Sequence, residues 1–274
     1  VWELANPSLG VTVYRDYLEA ESNRAKETPG YVNTFRRLHL NQWTESSARW
    51  LDLEAWNECG ETVDPAELVG QPCWGGLDLS TTTDLSAFVL VFPREVGFVV
   101  LSYFWVPEEN ITDRARKDRV PYDVWEREGF IEATEGNVID YSFIRAKINE
   151  LSELYLIQEI GYDPWNATSL VNDLMSEGAN MIAVRQGYAS LTAPAKELEK
   201  LVVSRQLFHG GNPVLRWCAA NVVVEQDPAG NLKPSKAKST ERIDGIVALV
   251  IALSRALDGD EHGSVYDTRG ILFV

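Results

Sequence analysis

The sequence predicts an α/β domain behind a helical arm, with a mixed sheet that begins as an antiparallel meander and ends in parallel strands. Three observations carry this. From Pro72 onward, helical spacing gives way to three dense β-type runs joined by connections too short for parallel neighbours. From Tyr141 onward, helices and strands alternate, as parallel crossovers require. The last strong segment, Glu241 to Leu257, is a helix so apolar that it must be buried.

In the arm, residues 1–70, Val11 to Lys26 places Val13, Tyr14, Tyr17, Leu18 and Ser22 near one helical face, with Pro29-Gly30 as its stop. Tyr31 to Leu40 and Ser46 to Asn57 follow as helices, the second stopped by Gly60. Trp43, Trp50 and Trp56 predict that this region packs against something large. The main domain, residues 71–258, opens with a strand over Trp74 to Ser80. Leu85 to Phe92 and Gly97 to Trp105 are the next two strands, joined by a turn at Pro93-Arg94-Glu95. Glu108 to Arg127 is polar, with a helix around Tyr122 to Glu128, and Phe130 to Thr134 reads as a short strand. Then come a helix from Tyr141 to Leu156, a strand Ile157 to Tyr162 ending on Asp163, and a helix Ala167 to Glu177. A strand Met181 to Val184 and a helix Leu191 to Val203 complete the alternation. Val222 to Gln226 is a further strand, Asp227 to Asn231 a loop, and Lys233 to Thr240 a basic, flexible stretch. Residues 259–274 form a loosely ordered tail ending in apolar Ile271-Leu272-Phe273-Val274, suited to adding a strand or docking on a partner.

Composition narrows the function. No apolar run reaches the ~20 residues of a membrane span, and Val1-Trp2-Glu3-Leu4 has neither the form of a signal peptide nor an initiating Met, as expected of a piece of something longer. Cys59, Cys73 and Cys218 are too few and too scattered for a disulfide framework or a zinc knuckle, which points to a reducing cytoplasm. His39, His209 and His262 belong to no acid–base motif, and neither a phosphate-binding P-loop nor a G-x-S-x-G elbow is present. The net charge of −16 argues against DNA wrapped on a broad basic surface, but suits a site for divalent cations.

Three aspartates stand out. Asp78 lies in a strand otherwise made of Leu and Gly, where a carboxylate is costly to bury unless paired or bound to a cation. Asp163 ends a strand, where open α/β sheets bind ligands. Asp244 precedes Gly245-Ile246-Val247-Ala248-Leu249, so the acid of a buried helix must face a specific partner, and Ser239 or Thr240 is available to cap that helix instead. Asp84, across the Ser80-Thr81-Thr82-Thr83 turn, is a candidate fourth ligand or a turn residue. If the acids converge, such hard oxygen donors suit two Mg²⁺ or Mn²⁺ ions and in-line phosphodiester displacement. Lys233, Lys236, Lys238 and Arg242, just before Asp244, are candidate DNA phosphate contacts, as are Arg185 and, less directly, Gln186.

Gly75-Gly76-Leu77-Asp78-Leu79-Ser80 with Asp84-Leu85-Ser86-Ala87 resembles the first nuclease motif of the large terminase subunits of tailed bacteriophages. Tyr162-Asp163-Pro164-Trp165-Asn166-Ala167 resembles the second, and Arg242-Ile243-Asp244-Gly245-Ile246-Val247-Ala248 the third. Gly210-Gly211-Asn212-Pro213-Val214-Leu215 and Asn221-Val222 resemble the pattern between them. The resemblance implies a ribonuclease H-like fold with Asp78, Asp163 and Asp244 as catalytic metal ligands. It also implies an endonuclease that cuts concatemeric viral DNA in the host bacterial cytoplasm during genome packaging. Its partners would be double-stranded DNA, the small terminase subunit, the portal protein and an ATPase motor domain that normally precedes the nuclease domain. The arm is then the linker, and the chain a truncated form or prophage remnant. Glu241 is the nearest counterpart of a further acid found in some members. A branched-DNA resolvase, a transposase-like nuclease of the same fold, or a non-catalytic portal-docking module are the alternative readings.

Overall fold

The computed structural model describes residues 2–27, 29–42, 50–80, 84–109, 111–165, 168–239 and 241–262. The arm holds α1 (Trp2–Ala5), α2 (Arg15–Glu27), α3 (Pro29–His39) and α4 (Leu53–Glu58). α2 and α3 pack on each other, whereas α4 packs on the main domain. Pro29-Gly30 opens α3 rather than closing α2; a proline fits the first helical turn, where its missing N–H is not needed. Trp43 and the first four residues of the expected third helix, 46–49, lie outside the described residues, and α4 forms its second half. Asp52 caps α4 by accepting from the backbone N–H of Glu54 and Ala55.

The sheet follows: β1 (Pro72–Asp78), β2 (Ser86–Pro93) and β3 (Phe98–Pro107), an antiparallel meander as expected. Next are α5 (Ile111–Asp118), α6 (Tyr122–Arg127) and β4 (Glu132–Thr134), then α7 (Tyr141–Leu154), β5 (Leu156–Tyr162), α8 (Thr168–Ser176) and β6 (Met181–Ala183). α9 (Tyr188–Val203), β7 (Leu207–Phe208), α10 (Pro213–Asn221), β8 (Val224–Gln226), β9 (Leu232–Pro234) and α11 (Asp244–His262) complete the described residues, and the expected tail beyond His262 lies outside them. Among the described residues one seven-stranded sheet runs β4-β3-β2-β1-β5-β6, with β7 also on β3. β4, β5, β6 and β7 pair in parallel, so the change from meander to crossovers falls at β1.

Two apolar layers cover the sheet. α7 and α8 bury Ile144, Ile148, Leu170 and Leu174 against Leu77, Phe88 and Leu90. α11, with α9 and α10, buries Ile246 to Leu253 against the other face. Side chains alternate along a strand, so Trp74, Gly76 and Asp78 face α11 while Cys73, Gly75 and Leu77 face α7 and α8. Gly76 is what lets α11 settle: a Cβ there would meet the Ala248 carbonyl oxygen at 2.0 Å. Its ladder partner Gly161 meets Ile251 Cγ2 at 2.6 Å in the same way. α11 therefore lies on a floor of two adjacent glycines.

Candidate metal centre

The position of the acids follows from this packing. Asp78 is the last residue of β1 and points towards α11 by alternation from Gly76. Asp244 is the first residue of α11, one turn before Ala248, the residue that rests on Gly76. The two carboxylates meet at the end of the glycine floor and are 2% and 5% exposed. Between them lies a single cation. Lys236 Nζ is 3.0 Å from Asp78 Oδ1 and 2.8 Å from Asp78 Oδ2, and it donates to Asp244 Oδ1 at 2.8 Å. Only the Oδ1 contact to Asp78 has hydrogen-bond geometry, so Asp78 Oδ2 is buried without a hydrogen-bond donor.

Burial pushes the Asp78 carboxyl up to about 7; the Lys236 ammonium pulls the other way, and the Asp244 and Asp163 charges push it further. Burial of the Lys236 head group works against its charge, yet the two carboxylates prevail and hold it above the ordinary lysine value. Asp163 follows β5, one step past the ladder pair Leu77–Tyr162, and its Oδ1 accepts from the Trp165 backbone N–H. Its charge is felt at Asp78, but among the described residues no group of three or more His, Cys, Asp or Glu is drawn into ligand distance. The structure thus gathers two of the three predicted acids around one point and leaves the third alongside.

Asp84 does not join them. It is exposed and bonds Arg242 Nη2 at 2.7 Å. Arg242 also lies 3.6 Å from Asp118 and 3.2 Å from Glu241, so its guanidinium is balanced by three carboxylates. In this structure the charge braces Asp84 and α5 against the approach to α11.

The expected flexible basic stretch is an ordered β8–β9 hairpin followed by a pinned turn. Ser235 N–H donates to Val223 O, and Ser235 Oγ donates to Glu225 Oε1 at 2.8 Å. Ser239 Oγ donates to Ser235 O and accepts from Val223 N–H, closing the turn that carries Lys236. Glu225 also lies 3.9 Å from both Lys233 and Lys238, and Lys233 sits 5.3 Å over the Tyr188 ring. Arg185 is exposed just after β6, at the sheet end that carries Asp163. Glu225 and Ser235 were not singled out by the sequence, and Ser239, expected to cap α11, instead closes the turn that carries Lys236. The spacing of the two serines by one helical turn around a lysine is the one local hint.

The family model for the terminase large subunit, endonuclease domain, matches residues 1–260. The chain is 35% identical over 273 residues to the terminase large subunit of Enterobacteria phage HK97, covering 97% of this chain and 53% of that protein. It is 31% identical over 281 residues to the protein YmfN of Escherichia coli (strain K12), covering 97% of this chain and 61% of the relative. The chain therefore spans little more than half the length of these relatives. The crystal structure of the HK97 bacteriophage large terminase superimposes with a TM-score of 0.70 at 34% identity, over 93% of this chain and 53% of that one. The large terminase of a thermophilic bacteriophage shares the fold at 12% identity, with a TM-score of 0.52 over 90% of this chain and 52% of that one. With a ribonuclease H-like sheet and a family match over nearly its whole length, the chain belongs to the endonuclease domains of terminase large subunits.

Proposed function

We propose that this chain hydrolyses phosphodiester bonds of double-stranded DNA with two Mg²⁺ or Mn²⁺ ions held on Asp78, Asp244 and Asp163. The observation that carries the reading is the buried Asp78–Asp244 pair closed on a cation. The donor set fits the group: carboxylate oxygens suit these hard cations, and Asp78 Oδ2 is a buried acceptor that lacks a hydrogen-bond donor. Bound there, such ions supply charge neutralisation and water activation for in-line hydrolysis.

The chain's own residues do the rest. Asp78 and Asp244 bind from a fixed strand and a fixed helix, and Asp163 approaches from the neighbouring strand end. The glycine floor sets the distance between the first two. Lys233, Lys236, Lys238 and Arg185 supply positive charge along a duplex that the −16 net charge repels elsewhere. Asp84 is kept from the ions by Arg242. In the longer protein this activity cuts concatemeric viral DNA in the host cell, beside an ATPase motor, a small subunit and a portal. No helix among the described residues is long and apolar enough to cross a membrane.

The test is plasmid cleavage with Mn²⁺ by Asp78→Asn and Asp244→Asn, beside Mn²⁺ binding by calorimetry. Loss of both activities with an unchanged circular dichroism spectrum is expected. Undiminished cleavage by both variants would sink the metal-site reading.

A further inference from the structure

The Lys236 ammonium sits where a cation shared by Asp78 and Asp244 would sit, within 3.0 Å of three of their oxygens. A divalent ion bonds carboxylates at about 2.0–2.1 Å for Mg²⁺. The ammonium already stands 2.8–3.0 Å from those oxygens, in the space such an ion would fill, so the two cannot sit there together. One must leave.

The structure gives the lysine a way out. Its side chain is 54% exposed, so the stem lies on the surface and only the head enters the site. Its root, by contrast, is fixed. Ser235 is held by Val223 O and Glu225, and Ser239 by Ser235 O and Val223 N–H. Rotation about the side-chain bonds can therefore withdraw the ammonium without disturbing the hairpin or the core. Withdrawn, it stays tethered beside the acids on a turn shared with Lys238.

We propose that Lys236 is a built-in counter-cation: it holds the acid pair together when no metal is bound, and metal binding expels it to the surface, where it meets a DNA phosphate. The inference rests on Asp78 and Asp244 being metal ligands. In effect the chain exchanges one of its own charges for the ion. The consequence is an ordered site, because Lys236 becomes available to the phosphate backbone only once the ions are in place.

Two measurements test it. In the wild-type chain, acetylation of Lys236 by an amine-reactive ester, read by peptide mass spectrometry, should be slow in EDTA. It should rise several-fold on adding Mn²⁺, while Lys200, paired with Glu197 on α9, serves as the reference. Equal labelling of Lys236 with and without Mn²⁺ overturns the proposal. In Lys236→Met, Mn²⁺ affinity should rise about tenfold or more because nothing has to be expelled, while the melting temperature in EDTA falls below wild type. Unchanged or weaker Mn²⁺ binding by a folded Lys236→Met protein also overturns it. Asp78→Asn separates the two levels. If Mn²⁺ still binds that variant normally, the metal-site reading falls; if binding needs Asp78 but ignores Lys236, only the exchange falls.

Discussion

Replacing Gly76 by Ala adds a single methyl group, yet it should separate Asp78 from Asp244. The new Cβ would lie 2.0 Å from Ala248 O and 2.5 Å from Ala252 N, both backbone atoms of α11. The shortest comfortable carbon–oxygen contacts are about 3.3 Å, so helix and strand must part by roughly 1.3 Å. Ala248 is one turn from Asp244, so the displacement reaches the carboxylate, and it far exceeds the tolerance of about 0.2 Å in a metal–ligand distance. Strain of this kind costs about 3 kcal/mol, the upper end for overpacked cores. At about 2–4 °C per kcal/mol for a domain of this size, the melting temperature should fall by roughly 6–12 °C. Mn²⁺ affinity should fall at least about tenfold, the scale of lost outer-shell support. Gly75→Ala is the control on the same strand. Its Cβ meets the Phe88 ring at 2.9 Å and Ile160 Cγ1 at 3.1 Å, side chains of the opposite layer. That variant should lose stability and keep its Mn²⁺ affinity. A Gly76→Ala protein that melts within about 2 °C of wild type and binds Mn²⁺ equally well would refute the close-approach argument.

Two further outcomes are expected. Arg242→Ala should cost about 1–2 kcal/mol by releasing Asp84, Asp118 and Glu241 from their shared cation, with no change in the salt dependence of DNA binding; a salt slope reduced by about one would instead assign Arg242 to a phosphate. His209 is 3% exposed, accepts the Gly211 N–H at Nδ1 and thus donates from Nε2 to Trp56 O at 2.8 Å. Burial lowers its proton affinity, so the unfolded chain binds the extra proton first. Stability is then complete above about pH 6.5, the ordinary imidazole value, and is lost as pH falls below it. Urea midpoints measured from pH 7.5 to 5.0 should therefore fall more steeply for wild type than for His209→Gln, and parallel slopes would contradict this.

Much of the fold was legible because long elements carry their own periodicity. β1 to β3, α7, β5, α8, β6, α9 and α11 fall within a few residues of where pattern put them. What stayed hidden was defined by partners. β7 has two residues and exists through its pairing with β3. β9 is Leu232-Lys233-Pro234, whose Lys and Pro read as loop until β8 pairs with it. α5, Ile111–Asp118, is so polar that its helical face left almost no apolar repeat. α11 begins at Asp244 rather than Glu241, which makes Asp244 its first residue. Within the site, Asp244 was legible because an acid heading an apolar helix has few alternatives. The contact of Lys236 with Asp78 was not, since basic residues near an acidic site also suit phosphate, and only the folded hairpin decides between them. Asp84 and Arg242 were each read alone, although each is the other's partner.

The burial of α11 has a consequence for how such a protein can change over generations. From Ile243 to Ser254 every residue is buried, and the helix is pressed between the sheet and α9 and α10. Selection for a stable fold and selection for correctly spaced acids therefore fall on the same residues. A lineage under pressure to cut more slowly has little room to do so through the helix, because almost any change there is also a folding defect. Beside Lys236, which closes the acid pair, Ala237 and Lys238 are exposed and border the acids without supporting the core. Inherited variation in activity should accumulate there, among residues that are free to differ while the helix beside them stands still.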